Sequence, residues 1–211
     1  MKQKNMIEFR NISKRFSEDF VLEDFSYKIE KGDKVRIVGR SGIGKTTLFR
    51  LLLGFVQPDA GEIYVDKHLL DEKSVWSWRH RVAYVSQDLN IGAGPVGDFF
   101  ASTLALKANQ DVKATATNRI NELIRYFQLP ADVLESRIES LSGGERQRVA
   151  IINILLLDRN IYLLDEVGSA LDAALRDKTL KYFLDRPDDT VLFISHDEHQ
   201  LKQDQIKNLN L

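Results

Sequence analysis

Gly39-Arg40-Ser41-Gly42-Ile43-Gly44-Lys45-Thr46-Thr47 sets glycines, a lysine and a hydroxyl at the spacing of an anion-binding loop. Glycines at 39, 42 and 44 let the backbone turn tightly and bring its N–H groups onto a phosphate. Lys45 can reach the β- and γ-phosphates of a nucleotide, and the Thr46 hydroxyl can face Mg²⁺. The context fits that chemistry. Lys34-Val35-Arg36-Ile37-Val38 ahead of the loop reads as a short strand, and Leu48-Phe49-Arg50-Leu51-Leu52-Leu53 behind it reads as a helix. The start of that helix adds a partial positive charge where the phosphate would lie. The alternative is a glycine turn with a surface lysine. The loop by itself indicates a nucleotide and leaves the reaction open.

Other groups with chemical potential stand at the ends of apolar runs. Ile161-Tyr162-Leu163-Leu164 fits a buried parallel strand, and it ends in Asp165-Glu166. Asp165 can hold Mg²⁺ through water, and Glu166 can take a proton from an attacking water; an ordinary polar turn is the alternative. Val191-Leu192-Phe193-Ile194 ends in Ser195-His196-Asp197, and a histidine at the carboxyl end of a parallel strand can donate to a γ-phosphate. Val82-Ala83-Tyr84-Val85 ends in Ser86-Gln87. Gln87 can reach Mg²⁺ or the attacking water, although alone it reads as a solvated loop residue. Leu141-Ser142-Gly143-Gly144-Glu145 opens a helix with free N–H groups and a hydroxyl, either a second anion site or a plain helix cap. Phe16 is a stacking platform for an adenine ring or a loop aromatic tucked under the sheet. His68, His80 and His199 read as surface or packing residues, and Trp76 and Trp78 as packing or interface residues.

The elements that must position these groups follow in order. Met6 to Ile12, Val21 to Ile29 and Gly61 to Val65 alternate as strands of an antiparallel sheet beside the parallel core. From residue 88 to about 140 the texture changes: Gly92, Gly94, Pro95 and Gly97 break the chain, and helical patterns follow over Val96 to Lys107 and Thr115 to Phe127. A further helix runs to about Leu184. The expected architecture is therefore a single α/β domain over 1–211. Its nucleotide-binding core and antiparallel β subdomain are drawn from 1–87 and 141–211, with an α-helical subdomain over 88–140.

Composition sets outer bounds. At 211 residues, 43% hydrophobic and 29% charged, the chain is an ordinary globular domain. A net charge of -1 gives no support for a nucleic-acid partner, and the absence of cysteine removes disulfides and thiolate metal sites. No apolar run reaches about 18 residues and the N-terminus resembles no signal peptide, so a cytoplasmic location is expected, with any membrane part supplied by another subunit.

Taken together, the segments resemble the ATP-binding subunit of ABC transporters. The matched motifs stand in that family's order: Phe16 as the aromatic loop, Gly39 to Thr47 as Walker A, Gln87 as the Q-loop, Leu141 to Glu145 as the LSGGE signature, Ile161 to Glu166 as Walker B with its glutamate, Ser169 to Asp172 as the D-loop, and His196 as the switch histidine. LSGGE followed by Arg146-Gln147-Arg148 is the most specific of these. The resemblance implies an ATPase of the P-loop type with ATP and Mg²⁺ as cofactors. Phe16, Gly39 to Thr47, Ser142, Gly143, Gly144 and Asp172 would contact nucleotide, Thr46, Gln87 and Asp165 would hold the metal, and Lys45, Gln87, Glu166 and His196 would act in hydrolysis. It further implies that Ser142 and Gly144 complete the site of a second copy or a paralogous subunit, that two ATP are sandwiched, and that closure drives a membrane-spanning permease subunit from the cytoplasmic face of the inner membrane. An ABC-type ATPase working on nucleic acid or ribosomes usually carries two cassettes or long coiled-coil inserts, and a P-loop kinase leaves LSGGE unexplained. The sequence departs from the pattern at Val167-Gly168, where the family usually has Pro-Thr, and at Phe16, where Tyr is commoner. The transported cargo is not written in these residues.

Overall fold

A computed structural model describes residues 5–16, 19–195 and 206–211. A long hairpin of β1 (Asn5–Phe16) and β2 (Asp19–Glu30) joins β4 (Ala60–Val65) and β5 (His68–Leu69) in an antiparallel sheet of order β2-β1-β4-β5. The second sheet is parallel: β3 (Lys34–Val38), β6 (Val82–Val85), β7 (Ile161–Asp165), β8 (Thr190–Ile194) and β9 (Ile206–Asn210), in order β6-β7-β8-β3-β9.

β1 runs past Ile12, where simple alternation stops, because it is bulged. Its pairing slips between Phe9 and Ile12, and Asn11 adopts φ 49. Asn11 is locked there by its Nδ2 donating to Asp24 Oδ1 at 2.6 Å and its N–H donating to Ser26 Oγ at 2.9 Å. Gly61 crosses the bulge so closely that a Cβ on it would lie 2.3 Å from the Asn11 carbonyl oxygen, which leaves room for glycine alone. β9 has no apolar alternation to announce it, since Lys207, Asn208 and Asn210 are polar. It is an edge strand, held by parallel pairing of Ile206 to Asn210 with Lys34 to Val38.

The two faces of the parallel sheet bury different cores. Tyr162, Leu164, Val191 and Phe193 turn to one side, with α5 (Gly143–Leu156), α6 (Ala173–Leu184) and the helices of the 88–140 stretch. Ile161, Leu163, Leu192 and Ile194 turn to the other, with α1 (Lys45–Leu52) and the antiparallel sheet. Buried on both faces, β7 and β8 must read as unbroken apolar runs, as they do. Among the described residues of the 88–140 stretch, α3 (Val96–Ala105) and α4 (Lys113–Tyr126) bracket a 3-10 turn; Val96, Phe100, Leu123 and Phe127 carry them into the first core.

The two tryptophans part company on α2 (Val75–Arg79): Trp76 is exposed, Trp78 fully buried. Trp78 Nε1 donates to Leu52 O at 2.9 Å, and Arg79 Nε donates to Leu53 O at 2.7 Å. The last carbonyls of a helix have no partners within it. These two side chains supply them and fix the far end of α1, whose near end carries the glycine loop. Trp78→Ala removes the packing and one of the two capping bonds and should lower stability by about 3–5 kcal/mol in urea unfolding.

Candidate functional site

In-register parallel pairing aligns strand ends. Ile37 pairs with Ile194, Asp165 with Ile194, and Val85 with Leu164, so the residues just beyond β3, β6, β7 and β8 gather at one edge. Those residues are Gly39, Ser86-Gln87, Glu166 and Ser195. His196 and Asp197 lie outside the described residues.

The loop from Gly39 to Thr47 packs against the hairpin. A Cβ on Gly44, which sits at φ 109, would lie 2.7 Å from Val21 O, so this glycine lets β2 close onto the loop. Gly42, also at positive φ, faces open space on its free side. Lys45 is buried, and its Nζ donates to the carbonyls of Gly39 at 2.8 Å and Arg40 at 3.0 Å, closing the loop on itself. Arg40 and Ser41 are exposed, Ile43 half-buried and Thr47 buried.

Three segments distant in sequence meet at the loop. Thr46 Oγ1 donates to Asp165 Oδ1 at 3.3 Å, Tyr84 OH donates to Asp165 Oδ2 at 3.4 Å, and Gln87 Nε2 donates to Glu166 Oε2 at 2.8 Å. Asp165 is 1% exposed. Burial drives its carboxyl above the usual aspartate range and the neighbouring Glu166 charge adds to that, against the pull of the two hydroxyls. Burial, and then the Asp165 charge, pushes the Tyr84 phenol up to about 12, which keeps it a donor. A buried carboxylate served by neutral hydroxyls, beside a threonine that opens a helix, suits a hard cation with oxygen ligands. Glu166 holds φ 51, a left-handed conformation uncommon for a residue with a side chain.

Ser142 caps α5 reciprocally. Its Oγ accepts from Glu145 N at 3.3 Å, while its own N–H and hydroxyl donate to Glu145 Oε2 at 2.8 and 2.7 Å. These contacts from Ser142 hold the Glu145 carboxyl below its usual range. The hydrogen bonds of this capping box stay within the helix start, and none of them reaches the Gly39–Thr47 loop. The tip instead packs on the Ser169–Asp172 turn: a Cβ on Gly144 would lie 2.9 Å from Ala170 O, and Gln147, buried at 2%, accepts from Ala170 N at 3.3 Å. Gly143 is exposed. Asp172 caps α6, its Oδ1 accepting from Leu175 N at 2.9 Å.

Phe16 ends β1 and is 44% exposed, with Lys14 Nζ 5.5 Å from its ring centroid, so it is not covered by the sheet. Phe20 on the facing strand is also exposed, under Arg15 at 3.6 Å. Sequence reasoning singled out neither Phe20, Tyr84 nor Gln147. Tyr84 read as one more apolar strand residue, and Gln147 sat within a charged run.

Among the described residues, no helix is long and apolar enough to cross a membrane. Residues 22–169 match the family described as ABC transporter. The chain is 31% identical over 208 residues to the energy-coupling factor transporter ATP-binding protein EcfA1 of Oceanobacillus iheyensis, covering 95% of this chain and 72% of that one. It is 37% identical over 175 residues to the ATP-dependent lipid A-core flippase of Alkalilimnicola ehrlichii, covering 81% of this chain and 30% of the flippase. A solved bacterial Atm1-family ABC exporter with ATP bound superposes with a TM-score of 0.77 at 27% identity, covering 92% of this chain and 35% of the exporter.

The raised Asp165 carboxyl gives a pH dependence. An acid whose folded pKa lies above its unfolded value binds more protons in the native state, so the stability contributed by Asp165 falls as pH rises from about 4. Asp165→Asn lacks this loss. Without magnesium, its stability relative to wild type should climb between about pH 4 and pH 7 in urea unfolding; a difference that stays flat with pH would contradict the assignment.

Proposed function

The chain belongs to the ABC transporter family as an ATP-binding domain, and from that premise we propose that it binds and hydrolyses ATP to power transport through a separate membrane-spanning subunit. One observation supports this most strongly: Thr46, Tyr84, Gln87, Asp165 and Glu166, drawn from three segments, meet through polar contacts of 2.8 to 3.4 Å beside the phosphate loop.

Phosphoryl transfer to water needs positioning and charge stabilisation more than covalent chemistry. Lys45 leaves the carbonyls of Gly39 and Arg40 for the β- and γ-phosphates, and the amides of residues 42–47 line the same anion. Thr46, Asp165 and Gln87 hold Mg²⁺, which supplies charge neutralisation for the phosphates when bound. Glu166 takes the proton of the attacking water. Gln87, already on its carboxylate at 2.8 Å, aims it, so one side chain answers to both metal and base. His196, by its motif, holds the γ-phosphate. Phe16 stacks on the adenine from the hairpin that packs on Gly44.

Ser142, Gly143 and Gly144 serve the nucleotide of a second copy or a paralogous subunit, so that two ATP close a dimer. Asp172 acts at that junction from the Ser169–Asp172 turn, on which the α5 tip packs. The γ-phosphate thereby biases a closed state over an open one. The helical stretch 88–140 and the Gln87 loop pass this change to the membrane subunit, against which the protein lies on the cytoplasmic face of the inner membrane. This reading invokes no nucleic-acid partner.

Glu166→Gln should bind ATP, hydrolyse it at least about 100-fold more slowly and accumulate as an ATP-bound dimer. Phosphate release and sizing chromatography check both; wild-type turnover would remove Glu166 as the base. Lys45→Ala should lose nucleotide binding in a fluorescent-ATP titration, and unchanged affinity would contradict the loop assignment.

A further inference from the structure

The turn that carries Glu166 departs from the resembled family at Val167-Gly168, and the structure shows what the departure makes room for. Gly168 is buried at φ +120, and a Cβ on it would lie 2.6 Å from Arg176 Cγ and 3.0 Å from Cδ. The alkyl stem of Arg176 therefore lies directly across the glycine, where any other residue would carry its side chain. Two left-handed backbone positions, Glu166 at φ 51 and Gly168, fall within three residues. Such a turn keeps its shape only where its surroundings over-determine it. Internally it has Ser169 N–H donating to Glu166 O at 3.2 Å and Leu171 N–H donating to Gly168 O at 3.0 Å. From outside the turn, Ala170 N–H donates to Gln147 Oε1 at 3.3 Å, and the Arg176 stem lies on Gly168. Arg176 is placed by the cap of α6, since Asp172 accepts from Leu175 N and Arg176 N–H donates to Asp172 O at 2.9 Å. Arg176 also shares the wall of a small cleft of about 70 Å³ with Glu166, Ser169 and Ser195.

We propose that Arg176 is a positioning residue for hydrolysis: its stem, seated on Gly168, clamps the turn and fixes where the Glu166 carboxylate points. The clamp rests on the reading of Glu166 as the base. It acts on the chemical step and leaves the phosphate loop, which binds ATP, untouched. The contact on Gly168 is carbon on carbon, so the clamp itself is a matter of stem length.

The test is steady-state ATP hydrolysis by the full chain carrying Arg176→Ala, Arg176→Met or Gly168→Ala, with Glu166→Gln in parallel. Arg176→Ala should lower kcat about tenfold with the KM for ATP held within about twofold, because misplacing a reacting group by a fraction of an ångström slows the chemical step while binding stays intact. Arg176→Met, which keeps the stem and drops the charge, should stay within about twofold of wild type. Gly168→Ala should lose rate in the wild-type background and lose less beside Arg176→Ala, since the collision is then gone. The clamp is overturned if Arg176→Ala keeps the wild-type kcat, or if Arg176→Met falls as far as Arg176→Ala. Wild-type turnover by Glu166→Gln would instead overturn the base assignment on which the clamp stands.

Discussion

The site hangs on a carboxylate held in the core. Asp165 ends a strand buried on both faces, and burial alone pushes its carboxyl toward the neutral form. Its hydrogen bonds come from the hydroxyls of Thr46 and Tyr84, which carry no charge to offset its own. A buried ion so placed is unfavourable unless a cation joins it. That position therefore makes little sense as packing and good sense as one wall of a metal–phosphate site, with Thr46 reaching across β8 from the start of α1 to form another.

The same end of the sheet supplies the reactive groups but not a finished enclosure. The phosphate loop, the acids and Gln87 converge within one chain, whereas the Ser142 helix tip satisfies its own box with Glu145 and packs on the Ser169–Asp172 turn. That turn follows Glu166 directly and packs on the helix tip through Ala170. Through Gln147 on Ala170 and Arg176 on Gly168, α5 and α6 both contact the turn that follows Glu166, the proposed base. On the proposed reading, an ATP bridging two chains would press on this turn from outside and so join closure of the dimer to alignment of Glu166.

Most of the fold, and the residues that gather at the end of the parallel sheet, were legible in the sequence. Both-face burial forces β7 and β8 to be continuous apolar runs, so the Asp165-Glu166 pair at the end of β7 announces itself, and the glycine loop declares itself by flanking strand and helix. Ser142 with Glu145 spells its own cap. The unreadable parts share one cause: they depend on partners far away in the chain. β9 is polar and exists because β3 lacks a neighbour on that side. β1 outruns its alternation because Asn11 is bulged by Asp24 and crossed by Gly61. Tyr84 looks apolar until Asp165 is beside it, and Gly168 looks like a lapse from a motif until the Arg176 stem is laid over it.

The central claim, that each nucleotide is enclosed by the loop of one chain and the Ser142 helix of another, is tested most directly by complementation. Lys45→Ala and Ser142→Arg chains are inactive alone on this account, since every site in either homodimer lacks one half. In a mixed dimer one site carries both lesions and the other carries neither. Mixing the two purified chains should therefore restore ATP hydrolysis toward about a quarter of the wild-type rate, half of the dimers being mixed and half of their sites intact, with loss of one half-site taken as abolishing turnover there. Activity in the mixture no greater than the sum of the separate chains would contradict a site shared between two copies.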